Sequence, residues 1–167
     1  MIIVSGLSRA QEQIDLHKAQ SVIGILGPET AHPTYRGIDG QNHLRLSFND
    51  INVETVGMTA ATVGDAQRLV DFIGRWDRNA PMLIHCWAGI SRSTATAFAA
   101  LCLIKPDEDE MALAQLLRSA SPSATPNRLI THKIDQILGR KGRMIKAVES
   151  IGRGADAFEG APFQLDV

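Results

Sequence analysis

The stretch from Pro81 to Leu103, PMLIHCWAGISRSTATAFAALCL, leaves this chain the fewest choices. Met82 to His85 is an apolar run of strand length, and Cys86 to Arg92 is a loop with Gly89 inside it. Ser93 to Leu103 is rich in Ala and Leu and reads as a buried helix. A strand that passes through a tight loop straight into a helix aims successive backbone N–H groups, and the positive end of the helix dipole, at one point. Such a point accepts an anion.

Side chains narrow the chemistry. Cys86 opens the loop and Arg92 closes it, with five residues between them. Amide donors and a guanidinium around a thiol favour the thiolate, which is the nucleophilic form. Arg92 presents a planar fork that can hold two oxygens of a phosphate while sulfur attacks the phosphorus. Gly89 allows the loop to curl with its amides inward. His85 can hydrogen-bond to the loop backbone and help fix the electrostatics of the cysteine. Ser93 can hydrogen-bond to the sulfur and stabilise it as a leaving group.

His85, Cys86, Ala88, Gly89, Ser91, Arg92 and Ser93 together satisfy the pattern HCxAGxSRS. The segment resembles the signature loop of the cysteine-dependent protein tyrosine phosphatases, the dual-specificity branch most closely. The resemblance implies hydrolysis of a phosphorylated protein through a cysteinyl-phosphate, with no cofactor and no metal. It makes Cys86, Arg92, Asp50, Ser93 and His85 catalytic. It gives Trp87, Ala88, Gly89, Ile90, Ser91 and Arg92 the task of holding substrate.

Asp50 enters because the leaving oxygen of a phosphate ester needs a proton. In the resembling family the acid is an Asp just past a strand, upstream of the cysteine. Asp50 follows an expected strand at His43–Phe48 and fits; Asp39 lies before that strand and is the second candidate. Asn49-Asp50 also favours a turn, so an Asx turn without chemistry is the structural alternative. Pro126-Asn127, which the family often carries before its last helix, extends the resemblance to about residue 138. Phosphoinositide-directed members often place lysines in the five-residue loop, whereas Trp87 to Ser91 carry no charge. That points to phosphotyrosine, with phosphoserine and phosphothreonine admitted. The alternatives are a non-catalytic phosphopeptide-binding pseudophosphatase, a phosphoinositide phosphatase, and a thiol enzyme of sulfur or arsenate chemistry. The last wants a second reactive cysteine, and Cys102 on an apolar helix is poorly placed for that.

The rest of the chain sets the frame. Its 167 residues are 44% hydrophobic and 21% charged, with 17 Lys+Arg against 18 Asp+Glu. This is the composition of one globular domain, and a net charge of −1 offers no global field for nucleic acid or an anionic membrane. No apolar run approaches the length needed to cross a bilayer, and the N-terminus lacks signal-peptide character, so neither membrane insertion nor export is expected. Two cysteines indicate no disulfide framework, and thiolate chemistry fits a reducing, cytoplasmic setting. Nothing in the sequence speaks to the oligomeric state.

Strands are expected at Met1–Val4, Ser21–Leu26, His43–Phe48 and Met82–His85, alternating with helices over Ser8–Ala19, Thr62–Asp77, Ser93–Leu103, Pro106–Ser119 and Asn127–Leu138, and a short one over Arg143–Glu149. This order predicts an α/β fold. It would be a single three-layer domain, with a mostly parallel sheet of four to five strands and helices on both faces. Residues 1–150 are expected to form the catalytic domain, and 151–167 a flexible or loosely docked tail. The long loop Gly27–Asn42 follows the end of a strand, which makes Tyr35 and Arg36 candidates for shaping the entrance. The basic bias between Arg128 and Arg153 is read as a solvated face, with an acidic partner as the alternative.

Overall fold

Four parallel strands end on the same side of one sheet, and that edge is where the Cys86 loop sits. The computed structural model describes residues 1–167. The sheet runs in the order β3-β2-β4-β1-β5. Its strands are β1 (Ile2–Gly6), β2 (Ser21–Leu26), β3 (His43–Ser47), β4 (Met82–Cys86) and β5 (Phe163–Leu165). β1, β2 and β3 form the parallel part with β4 between β1 and β2, and β5 closes the edge antiparallel to β1. No helix is long and apolar enough to cross a membrane.

β4 is buried along its whole length, as a central strand covered on both faces must be. Side-chain alternation divides it: Met82, Ile84 and Cys86 join the larger core, while Leu83 joins the smaller one. The larger core packs the sheet against α2 (Val63–Arg75), α3 (Arg92–Ile104), α4 (Glu110–Ala120), α5 (Arg128–Ile137) and α6 (Arg143–Ile151). The smaller core lies under α1 (Ala10–His17) and unites Ile3, Ile14, Val22, Tyr35 and Leu83.

The helices start where their caps put them. Thr62 and Asp65 form a reciprocal capping box on α2, and Asn127 accepts from the Ile130 N–H at the head of α5. α4 begins at Glu110, later than the expected Pro106, because Asp109 accepts from the N–H groups of Met111 and Ala112. Glu110 is then buried between Arg140 and Arg143, at 2.9 and 3.0 Å. The basic bias after Arg128 is largely consumed within the chain: Arg128 pairs with Glu149, Lys133 with Glu54 and Arg153 with Asp156.

Two expectations change. The segment after residue 151 is not a loose tail. Phe163 and Leu165 are buried, and β5 aligns Ile2, Ile3 and Val4 with Leu165, Gln164 and Phe163. A three-residue strand with one polar residue between two apolar ones is too short to register as periodicity, but it covers the open edge of β1. Tyr35 and Arg36 do not shape an entrance. Tyr35 is buried in the smaller core, and Arg36 pairs with Asp15 of α1 at 2.7 Å.

Candidate active site

The loop between β4 and α3 turns its carbonyls outward. Leu7 N–H donates to Trp87 O at 3.1 Å, Gly160 N–H to Ala88 O at 2.8 Å, Thr125 N–H to Ile90 O at 2.9 Å and Asn127 N–H to Ser91 O at 3.2 Å. Three segments remote from one another in sequence, at Leu7, Thr125–Asn127 and Gly160, thus hold the outer surface of the loop. With these carbonyls committed, the amides are free to face the interior of the turn. Gly89 shows why the curl is tight. Its φ is +73°, and a Cβ there would lie 2.7 Å from Gly6 N and Ser5 C.

Cys86 is buried at the end of β4, with its Sγ 3.2 Å from Ser93 Oγ and accepting from Gly89 N–H at 3.3 Å. Arg92, the first residue of α3, is equally buried. Its Nη1 donates to Phe48 O at 2.9 Å, which fixes the guanidinium plane. Its Nε lies 3.5 Å from Asp50 Oδ2 without a hydrogen bond, a buried donor left open.

Asp50 stands just past β3. It accepts from Ser91 Oγ at 2.6 Å and from Asn127 Nδ2 at 2.8 Å, both on Oδ1. Its segment is tied down further by Asn127 Nδ2 to Ile51 O at 3.0 Å and Arg128 N–H to Asn52 Oδ1 at 2.9 Å. Asp39 instead precedes β3, at the N-terminal edge of the parallel strands and away from this group. The structure therefore gathers Cys86, Gly89, Ser91, Arg92, Ser93 and Asp50 at one place. Trp87 is 47% exposed on its rim. A cleft of about 380 Å³ adjoins the site, with Asn52, Thr125, Arg128 and Arg153 in its walls.

His85 points to the opposite face of β4. Its Nε2 meets Tyr35 Oη at 2.9 Å. Burial drives its pKa down to about 4 and raises that of Tyr35, so the pair is a neutral ring hydrogen-bonded to a neutral phenol. His43 packs on Tyr35 with ring centroids 5.2 Å apart, and burial likewise lowers its pKa to about 4. The glycine in the middle of β2 makes room for this group: a Cβ on Gly24 would come within 2.8 Å of His85 Nε2. Cys102 is fully buried on α3, and burial pushes its thiol up to about 12.

Sequence reasoning missed three contributors. Tyr35 lies against His85, not at an entrance, and its loop carries no periodicity to show it. Asn127 was visible as half of a Pro-Asn pair, but its contact with Asp50 was not. Gly160 backs the loop at Ala88 O but has no local sequence signal to mark it. No group of three or more His, Cys, Asp or Glu side chains is arranged to hold a metal ion.

No protein-family model and no curated protein matches the sequence. Solved structures do match its shape. DUSP15 superposes with a TM-score of 0.63 at 18% identity, covering 90% of this chain and 89% of that one. The human tyrosine phosphatase-like serine/threonine/tyrosine-interacting protein gives 0.61 at 21% identity, covering 84% and 92%. The Yvh1 phosphatase domain from Chaetomium thermophilum gives 0.60 at 18% identity, covering 86% and 93%. Over most of its length the chain has the fold of the dual-specificity phosphatases.

Proposed function

We propose that this protein is a phosphatase acting on phosphotyrosine in proteins through a cysteinyl-phosphate intermediate, with phosphoserine and phosphothreonine as further substrates. The observation that carries this reading is the loop whose carbonyls are tied outward around a buried thiol, with an unpartnered Arg92 Nε beside it. An oxyanion seated there would receive the amides of residues 87–92 and two N–H groups of the Arg92 fork.

In the proposed reaction the Cys86 thiolate attacks phosphorus in line, an S–P bond forms and the P–O bond to the leaving group breaks. Asp50, in its acid form, gives its proton to the departing oxygen. Water then attacks phosphorus opposite the S–P bond, on the face the leaving oxygen vacated, Asp50 takes its proton, and the S–P bond breaks with inorganic phosphate released. Ser93 Oγ donates to the departing sulfur. His85 keeps the end of β4 in place through Tyr35. Asn127 and Ser91 hold Asp50 as positioning residues. No step requires a metal.

The test is hydrolysis of p-nitrophenyl phosphate in chelator at mildly acid pH by the wild type, Cys86→Ser and Asp50→Asn. Turnover that disappears in Cys86→Ser and falls roughly 10²–10⁴-fold in Asp50→Asn supports the reading. Binding of phosphotyrosine peptides by wild type without turnover would replace it with a non-catalytic phosphopeptide-binding module.

A further inference from the structure

Nine large apolar side chains stand exposed on this protein, and five of them belong to segments bordering the site. Val53, Val56 and Met58 follow Asp50, Trp87 lies in the loop itself, and Phe158 sits on the segment leading to β5. Scattered exposed apolar residues need no explanation, but a concentration around one site does.

Trp87 and Phe158 form the best-defined part of this rim. Their ring centroids are 5.4 Å apart at 81°, an edge-to-face pair. The pair does little for the fold, since the rings remain 47% and 83% exposed. The segment carrying Phe158 is nonetheless held firmly. Gly154 N–H donates to Thr125 Oγ1, Ala155 N–H to Pro122 O and Gly160 N–H to Ala88 O, while Ser8 Oγ donates to Glu159. Two aromatic rings are thus fixed in advance, facing solvent, next to the thiol. A surface ordered before its partner arrives avoids much of the entropy lost on binding.

The position of the pair decides what covers it. Trp87 directly follows Cys86 and is exposed, so its ring belongs to the surroundings of whatever projects from a phosphate seated in the loop. No charge lies between Trp87 and Ser91 to favour additional phosphates or acidic side chains. We propose that Trp87 and Phe158 form an apolar shelf that receives a large apolar side chain adjacent to the phosphorylated residue of a peptide. The shelf makes the protein selective for phosphopeptides with such a neighbour. This inference rests on the loop being a phosphate site, and it adds the identity of the flanking residue.

The experiment compares two phosphotyrosine peptides that differ only in carrying Leu or Ser on both sides of the phosphotyrosine. Their Kd values are measured on the full chain with Cys86→Ser, and their kcat/KM values on the chain with Cys86 intact. The Leu-flanked peptide is expected to bind roughly three- to tenfold more tightly, the effect of partly burying one or two aliphatic side chains on an open surface. Adding Phe158→Ala brings the ratio close to one, with an unchanged melting temperature because the ring is exposed. Equal Kd values in the parent, or a preference that survives Phe158→Ala, overturns the shelf. So does sedimentation with phosphatidylcholine–phosphatidylserine vesicles that depends on Phe158 while the peptides show no preference; the rim would then face lipid. Turnover of p-nitrophenyl phosphate without any flank preference sinks the shelf alone. A flank preference without turnover sinks the phosphatase reading and leaves the shelf standing.

Discussion

Asn127 donates its side-chain amide to Asp50 Oδ1 at 2.8 Å, joining the head of α5 to the segment after β3. The same side chain accepts from Ile130 N–H at 3.0 Å, so one residue both starts a helix and orients a carboxyl. The two tasks separate by substitution. Asn127→Ser keeps an oxygen to cap α5 but loses the amide donor. Its stability is expected to stay within about 1 kcal/mol of wild type, while kcat for p-nitrophenyl phosphate falls about tenfold. Equal kcat would show that Ser91 alone suffices to place Asp50.

Gly89→Ala is expected to be severe. The new methyl would meet Gly6 N and Ser5 C at 2.7 Å, and the positive φ is itself unfavourable for alanine. A loss of more than about 2 kcal/mol in stability is expected, because the obstruction is backbone and cannot rotate away. Chemical denaturation measures the first effect. Turnover, expected to drop at least about 100-fold as the amides leave their positions, measures the second.

Stability is expected to depend on pH through the buried histidines. His85 titrates near 6.5 when unfolded and near 4 when folded, so below pH 6.5 the unfolded chain binds the extra proton first. The stabilising contribution of the neutral ring is therefore complete above pH 6.5 and is lost as pH falls toward 4. For His85 the loss is on the order of 3 kcal/mol. His43 and His32 shift in the same direction, also through burial. Urea midpoints between pH 7 and pH 4.5 should fall steeply for wild type and less steeply for His85→Asn. Parallel slopes would show that His85 is not the group responsible.

β5 gives a fourth test. Leu165 is buried against the edge of the sheet, and Leu165→Ala should destabilise by about 2–4 kcal/mol. Ending the chain after Gly160 removes β5 entirely and is expected to lower the melting temperature further and to loosen the Cys86 loop. A truncated protein with wild-type stability would mean that β5 contributes nothing to the sheet.

What was legible in the sequence follows the length of the signal. Ser21–Leu26 and Met82–His85 are readable because buried parallel strands are continuous apolar runs, β4 running one residue further to Cys86. The Cys86–Arg92 loop was readable because Gly89 and a helix-forming run fix its geometry locally. Asp50 is singled out through the resemblance, by its place after a strand, whereas its contacts with Asn127 and Ser91 come from packing between distant segments that periodicity does not encode. Tyr35 was misplaced because a loop without periodicity gives no sign of which face of the sheet it covers. Phe163–Leu165 was missed because three residues are too few to show alternation.

The backing of the loop by Gly160 has a bearing on how the molecule is made. On a ribosome, β4 and α3 emerge well before the segment that closes over Ala88, so the nascent chain presents its thiol on an unfinished turn. The backing of Ala88 can form only after Gly160 has left the exit tunnel, and the edge of β1 is covered only once Phe163–Leu165 follow. Maturation is thereby coupled to synthesis of this later segment, and a polypeptide stalled before it would carry the cysteine without the donor that backs Ala88.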